Sequence, residues 1–344
     1  MAHITDDMMI ENVYIIIVNW NGWRDTVECL ESVFRMDYKS FKVVVCDNDS
    51  RDSSLNNIED WANGRFILDP IQGHPLHALS SPPVQKPVTL KRYLQHEAEQ
   101  SSAPRDNERL ILIRNERNLG FAGGNNVGLR YALAHADLSY AWLLNNDTVV
   151  QKDALTCLVR RMHERSDAGM CGSTIPYYSD PDRIWALGGG AYNKWIARSR
   201  SIGYLQSMRQ SIPRDKIEAK IDYIVGASML VSRAFLEDIG LVNEDYFLYY
   251  EEYDWALRAR RKYKLAYAHD SIVYHKAGAS TETVFKKGLT RNSPIWHEMR
   301  SHLRFTRRFF PLLLPVVVIR RGIQALLLLA KAGAVRFFDL FEIK

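Results

Sequence analysis

The chain has 344 residues, 47% of them hydrophobic and 25% charged, and 45 Lys plus Arg against 40 Asp plus Glu give a net charge of +5. These values exclude a disordered tail protein, a collagen-like repeat and a disulfide scaffold, and the length suffices for a core without covalent staples. The charge is unevenly placed: residues 281–344 carry 12 Lys/Arg and 4 Asp/Glu, net +8, while residues 1–280 are net −3.

In chain order, Val13–Val18 is a continuous β-branched run, as expected of a strand buried on both faces. Asp25 followed by Glu28 resembles a capping box, ahead of Val27, Leu30, Val33 and Phe34 at helical spacing. Phe41–Cys46 predicts a second strand, and Ser53 predicts the cap of a helix bearing Leu55, Ile58 and Trp61. Leu110–Ile113 predicts a third strand, and Asn125–Ala136 a helix after a glycine-rich turn. Ala141–Leu144 predicts a fourth strand, Leu155, Leu158, Val159 and Met162 a helix, and Tyr267–Tyr274 a late strand. This alternation implies an α/β fold with a mostly parallel central sheet and helices on both faces, and in such sheets ligands bind beyond the carboxyl ends of the strands.

Residues 64–108 hold six of the twelve prolines and interrupt the rhythm. They read as an inserted, partly flexible excursion with a short helix near Leu90–Gln100. The alternative is a lid or partner-binding loop. In the tail, Phe309–Ile319 and Gly322–Ala330 are apolar runs too short to span a bilayer. With Arg300, Arg304, Arg307, Arg308, Arg320 and Lys331 they form a basic amphipathic surface suited to an anionic membrane. The competing reading is a helical pair packed on the body with its arginines solvated.

Cys29, Cys46, Cys157 and Cys171 show no CxxC spacing and read as reduced and structural. Met1–Met9 lacks a basic segment before an apolar run, so no signal peptide is expected. The sequons at Asn48 and Asn146 fall at strand ends where modification would be harmful. The expected location is cytoplasmic, peripheral at the inner face of the membrane.

Four strands end in polar clusters: Asn19-Trp20-Asn21-Gly22, Asp47-Asn48-Asp49-Ser50, Asn118 to Asn126 with its glycines, and Asn145-Asn146-Asp147-Thr148. Turns alone require such residues, but four on one rim can hold a nucleotide. GxGxxG and GxxxxGK[ST] are both absent. Later, Glu251, Glu252 and Asp254 group three carboxylates among aromatics, which raises at least one pKa and makes a plausible general-base site. A helix start enriched in acids is the simpler reading. His275 follows the late strand.

VNWNG (18–22), CDNDS (46–50), NLGFAGGNNVGL (118–129), LLNNDT (143–148), VGASMLVSR (225–233), FLYYEEYDWALR (247–258) and VYHKAGAS (273–280) together resemble family-two glycosyltransferases, especially the bacterial rhamnosyltransferase-like branch. The resemblance covers most of residues 11–280. It implies a GT-A type nucleotide-diphospho-sugar transferase fold with a helical C-terminal tail. The catalytic domain would be 1–280, with a nucleotide-binding half at 11–150 that carries the insertion 64–108, an acceptor-binding half at 151–280, and a basic amphipathic tail at 281–344.

The resemblance also implies a sugar, rhamnose or another hexose, moved with inversion from a dTDP- or UDP-linked donor to a glycan or lipid-linked glycan hydroxyl. Asn19 and Asp47 would meet base and ribose, and Asn118, Gly120 and Asn126 would line the nucleotide and sugar. The family's DxD position holds Asn145 here, leaving Asp147 as the strong ligand, with His275 as the late metal-binding histidine for Mn²⁺ or Mg²⁺. Glu252 takes the place of the catalytic base, with Glu251 and Asp254 as alternatives. A non-catalytic nucleotide-sugar binder, a glycosidase and a nucleic-acid binder using the tail are the competing readings.

Overall fold

The computed structural model describes residues 11–68, 72–100, 108–210, 212–277 and 293–331. The N-terminal segment read for a leader, the end of VYHKAGAS and the tail beyond 331 lie outside them.

The first half runs β1 (Val13–Asn19), α1 (Trp23–Val33), β2 (Phe41–Asp47), α2 (Ser54–Ala62), α3 (His77–Ser80), β3 (Leu90–Leu94), α4 (Gln95–Gln100), β4 (Leu110–Arg114), α5 (Gly120–Ala134), β5 (Tyr140–Leu144) and β6 (Thr148–Val150). Next come α6 (Ala154–Glu164), β7 (Ala168–Pro176), β8 (Ile184–Leu187), β9 (Gly189–Asn193), β10 (Arg198–Ser201), α7 (Arg214–Glu218), β11 (Tyr223–Ile224) and β12 (Ser228–Ser232). The chain then forms α8 (Arg233–Ile239), α9 (Glu251–Ala259) and β13 (Lys264–His275). The tail is α10 (Pro294–Phe309), a 3₁₀ turn (Pro311–Leu313) and α11 (Leu314–Lys331).

The sheet order is β10-β9-β8-β7-β12-β5-β1-β2-β4-β3. β5, β1, β2, β4 and β3 are mutually parallel. β12 enters antiparallel between β5 and β7 and joins the two halves. Alternation along β1 sends Val13, Ile15 and Ile17 to the core shared with α1, α2 and α6, and Tyr14 and Ile16 to the opposite core under α5, α8 and α9. The β-branched runs are thus buried on both faces, as their composition predicts. All four cysteines are buried and unpaired, and burial pushes the Cys29 thiol up to about 12.

Three local expectations are corrected. The glycine-rich segment is not a turn before a helix: α5 already begins at Gly120. Its glycines let the helix lie against the sheet, since an added Cβ would sit 2.9 Å from Val18 and Asn48 at Gly124 and 2.6 Å from Ile16 at Gly128. Asp25 and Ser53 make no side-chain caps. Asp25 instead pairs with Lys276, which bonds it at 2.5 Å and Glu28 at 2.6 Å. Leu90–Leu94 is an edge strand rather than helix, and only Gln95–Gln100 is helical.

The excursion is tied down where it is described. Glu31 of α1 accepts from Trp61 Nε1 at 2.7 Å, Val84 N at 2.7 Å and Lys86 Nζ at 3.2 Å. In the tail, α10 buries Ser301, His302, Phe305 and Thr306 against the body and leaves Arg304 and Arg307 outward, while Arg308 reaches back to Asp254. No helix among the described residues is long and apolar enough to cross a membrane.

Candidate functional site

β1 and β2 end side by side, with Asn19 in register with Asp47. Asn19 Nδ2 donates to Asp47 Oδ1 at 2.7 Å and to Ser50 Oγ at 3.1 Å, and Thr26 Oγ1 donates to Asn19 Oδ1 at 2.8 Å. The Ser50 amide and hydroxyl donate to the two Asp47 oxygens at 3.0 and 2.6 Å. Asn48 donates to Gly120 O at 2.8 Å and accepts from Asn115 at 2.7 Å. Burying a carboxylate is costly unless donors surround it. Asn19 and Asp47 are therefore buried braces of the rim. Asn146 belongs to the same network through Thr26 Oγ1 at 3.1 Å, so both sequons lie inside it.

Asn118 Oδ1 accepts from Gly120 N at 2.9 Å. Gly120 has φ +72°, and a Cβ there would lie 2.2 Å from Phe247 O. Phe121 N donates to that same oxygen at 2.8 Å. Gly120 thus lets the acidic segment close onto the start of α5. The Asn126 amide donates to Val242 O and Glu244 Oε1, both at 2.8 Å, and its oxygen accepts from Val242 N at 3.1 Å. It is buried and braces the loop before the acids.

Antiparallel pairing of β13 with β6 sets His275 opposite Thr148, next to Asp147. His275 Nε2 lies 3.1 Å from Asp147 Oδ1, and the Asn145 amide 3.4 Å from the same nitrogen. Burial acts to raise the Asp147 carboxyl, but the charge and hydrogen bond of His275, with a backbone hydrogen bond and the Lys276 charge, together hold it below its ordinary range. Trp185 packs edge-on against His275, 4.8 Å between centroids. Among the described residues no three His, Cys, Asp or Glu side chains form a metal cluster. One carboxylate, one imidazole and one amide are few donors, but they fit a Mg²⁺ or Mn²⁺ ion that takes its other ligands from diphosphate and water.

Tyr249 and Tyr250 are left-handed in succession, φ 68° and 73°, and tip the chain into α9. Such conformations cost about 1–3 kcal/mol each and cluster at functional sites. Glu251 is 2% exposed, and among the described residues its Oε2 has no hydrogen-bond partner. Burial first, and then the neighbouring Glu252 charge, lift its carboxyl well above the usual range. Glu252 is less enclosed. Its Oε1 accepts from Gly226 N at 3.3 Å, and burial raises its carboxyl too. Asp254 is fully buried, with Arg258 Nε at 2.8 Å, Tyr246 OH at 3.2 Å and Arg308 Nη1 at 3.3 Å.

Gly226 and Ala227 join the two clusters, since Asn145 N donates to Ala227 O at 3.1 Å while Gly226 holds Glu252. Sequence marks Gly226 only as part of VGASMLVSR; its backbone role exists only in three dimensions. The tail residues behind the acids carry no sequence signal either. Ser301 Oγ donates to Leu248 O at 2.8 Å. His302 stacks on Tyr250 at 4.7 Å, and Arg321 Nε donates to His302 Nδ1 at 2.9 Å. Burial, then the Arg321 charge, lower His302 to about 3. The ring is therefore neutral and its Nε2–H donates to Tyr192 OH at 2.8 Å.

The sequence matches glycosyl transferase family 2 over residues 14–74 and 91–240. A low-salt glycan biosynthesis hexosyltransferase, Agl10 of Haloferax volcanii, is 30% identical over 152 residues, 42% of this chain and 44% of that protein's length. GalNAc-T7, solved with UDP, GalNAc and Mn²⁺, superposes with a TM-score of 0.57 at 14% identity, over 88% of this chain and 48% of that one. The mannosyltransferase PcManGT of Pyrobaculum calidifontis, solved with GDP-Man and Mn²⁺, gives 0.48 at 16% identity, over 96% and 78%. The mixed sheet flanked by helices is a GT-A fold, and the chain belongs to glycosyltransferase family 2.

Proposed function

We propose that the protein is an inverting glycosyltransferase that moves a hexose, such as rhamnose, from a dTDP- or UDP-linked donor to the hydroxyl of a glycan or lipid-linked glycan. The observation that carries this reading is the link through Gly226–Ala227 between the Asn145–Asp147–His275 rim and the raised carboxyl of the half-buried Glu252.

In this reading Asn19 and Asp47 hold the floor beneath the nucleoside, while Asn118 and Gly120 set the wall beside the sugar. Asp147 and His275, with Asn145 as a weak third donor, would hold Mn²⁺ or Mg²⁺; when bound, the ion neutralises charge developing on the diphosphate. Glu252 accepts the proton of the acceptor hydroxyl, whose oxygen attacks the anomeric carbon opposite the diphosphate. One displacement with one base inverts the configuration. A base with a raised pKa is matched to neutral working pH. Glu251, more enclosed, stays protonated longer and so keeps like charge away from Glu252. Residues 300–336, described as far as 331, would contact an anionic membrane at its cytoplasmic face.

The test is a thermal-shift screen of nucleotide sugars with and without Mn²⁺, followed by transfer assays on Glu252→Gln. Transfer should fall about 10²–10⁴-fold with donor binding intact. The acid limb of the wild-type pH profile should lie above the ordinary glutamate range. Retained transfer in the variant would remove Glu252 from the role, and donor binding without turnover on any acceptor would favour a non-catalytic member.

A further inference from the structure

The tip of the β9–β10 hairpin is built unlike a solvent loop. Trp195 is 68% exposed and Ile196 55% exposed, yet the tip is fixed. Trp195 N donates to Asn193 Oδ1 at 3.0 Å. Arg320 of α11 donates to Ile196 O at 2.8 Å and also to Ala197 O. The hairpin and α11 are thereby one unit, although about 120 residues of sequence separate them.

On α11, Val316, Ile319, Ile323 and Leu326 recur at intervals of three, four and three, which places them on one helical face. All four are exposed, and Leu312 in the preceding turn is 93% exposed. Arg320, which reaches the hairpin, borders this stripe. The opposite side of the helix, through Val317 and Arg321, is buried against the body. An exposed apolar surface assembled from two distant segments marks an interaction site.

Its border is basic. Lys194 Nζ lies 5.8 Å from the Phe310 ring, and Phe310 is at the mouth of a groove of about 290 Å³ lined by Arg260, Arg261 and Phe309. Apolar stripe, indole and cationic rim together match an anionic bilayer surface. Tryptophan suits the headgroup level, leucine and isoleucine the acyl boundary, and arginine the phosphates.

We infer that the Trp195–Ile196 hairpin tip and the outer face of α11 form one docking surface for an anionic bilayer, with lipid phosphates seated in the Arg260–Arg261 groove. This rests on the proposed membrane contact of the tail and adds the hairpin as its second insertion point. Beneath the hairpin, the buried Tyr192 of β9 meets the ring of Tyr250 next to the acids. Docking would therefore present the acidic segment at a fixed height above the lipid.

The test is flotation of the full chain with phosphatidylcholine vesicles, alone or mixed with phosphatidylglycerol. Wild type should float with the anionic vesicles only, and less in high salt. Trp195→Ser with Ile196→Ser should lower binding about tenfold or more, with an unchanged near-ultraviolet circular dichroism spectrum. Trp195→Phe should retain most of it. Arg260→Gln with Arg261→Gln should weaken binding and flatten its salt dependence.

Should the hairpin variants misfold, brominated lipid chains provide a second measurement, quenching wild-type emission more than that of Trp195→Phe. If Ile319→Ser with Ile323→Ser loses binding while the hairpin variant keeps it, the tail reading stands and this one is overturned. If wild type ignores anionic vesicles, or sediments as a dimer through this patch, both fall.

Discussion

The rim at the ends of β1 and β2 and the segment around Glu251 are both buried and polar, but they are built to opposite rules. Around Asn19, Asp47, Asn48 and Ser50 these four side chains find partners within the network, and its left-handed residues, Asn21 and Asp49, stand singly in turns. Around Glu251 two tyrosines are left-handed, a carboxylate oxygen lacks a partner among the described residues and two carboxyls are raised. Saturated networks hold a shape. Unsatisfied carboxylates hold a proton-transfer group away from its resting ionisation state. In the proposed reading, the contrast separates residues that shape the site from residues that react in it.

The sharpest way to break the comparison lies at the third cluster. Asp147→Ala should weaken metal-dependent donor binding by more than the roughly 10–100-fold that loss of an outer-shell partner costs. Titration of donor with and without Mn²⁺ reads it, and unchanged metal dependence would detach Asp147 from the site. Next, Gly120→Ala places a Cβ 2.2 Å from Phe247 O at φ +72°. It should cost about 1–3 kcal/mol in strain and depress transfer more than donor affinity, because it pushes the acids away and leaves the β1–β2 rim in place. Equal losses in both would mean that the two regions are not separable.

The smallest effect is expected at Glu251→Gln. A carboxyl raised in the folded state contributes stability that is full below the unfolded value near ~4.3 and is lost as pH rises through the raised one. At neutral pH the amide should therefore be the more stable, by roughly 2–4 °C in Tm, and this gain should vanish near pH 4. A loss of stability at neutral pH would show that the charged form is paired after all.

Much of this was legible in the chain. VYIIIV, FKVVVC, LILI and AWLL carry their own strand signal, because burial on both faces demands continuous apolar runs. Their polar ends mark the rim for the same reason that turns are polar. α5 was not legible at its start: glycines read locally as a turn, and only the contact with Val18 and Ile16 explains why a helix uses them. β3 mixes Lys91 and Arg92 with its apolar residues, so an edge strand looked like helix. Asp254 and Asn126 take their form from Arg308 and Val242, far away in sequence, and no local pattern distinguishes such braces from reactive groups.

The strand order carries one more consequence. Its two end strands are the basic β10, with Arg198 and Arg200, and β3, with Lys91 and Arg92. A sheet that ends in open strands invites a neighbouring molecule to extend it, and like charges along those strands make that costly. A ten-strand path that does not close into a barrel is thus kept from polymerising edge to edge, and neutralising those four cations is where aggregation would start.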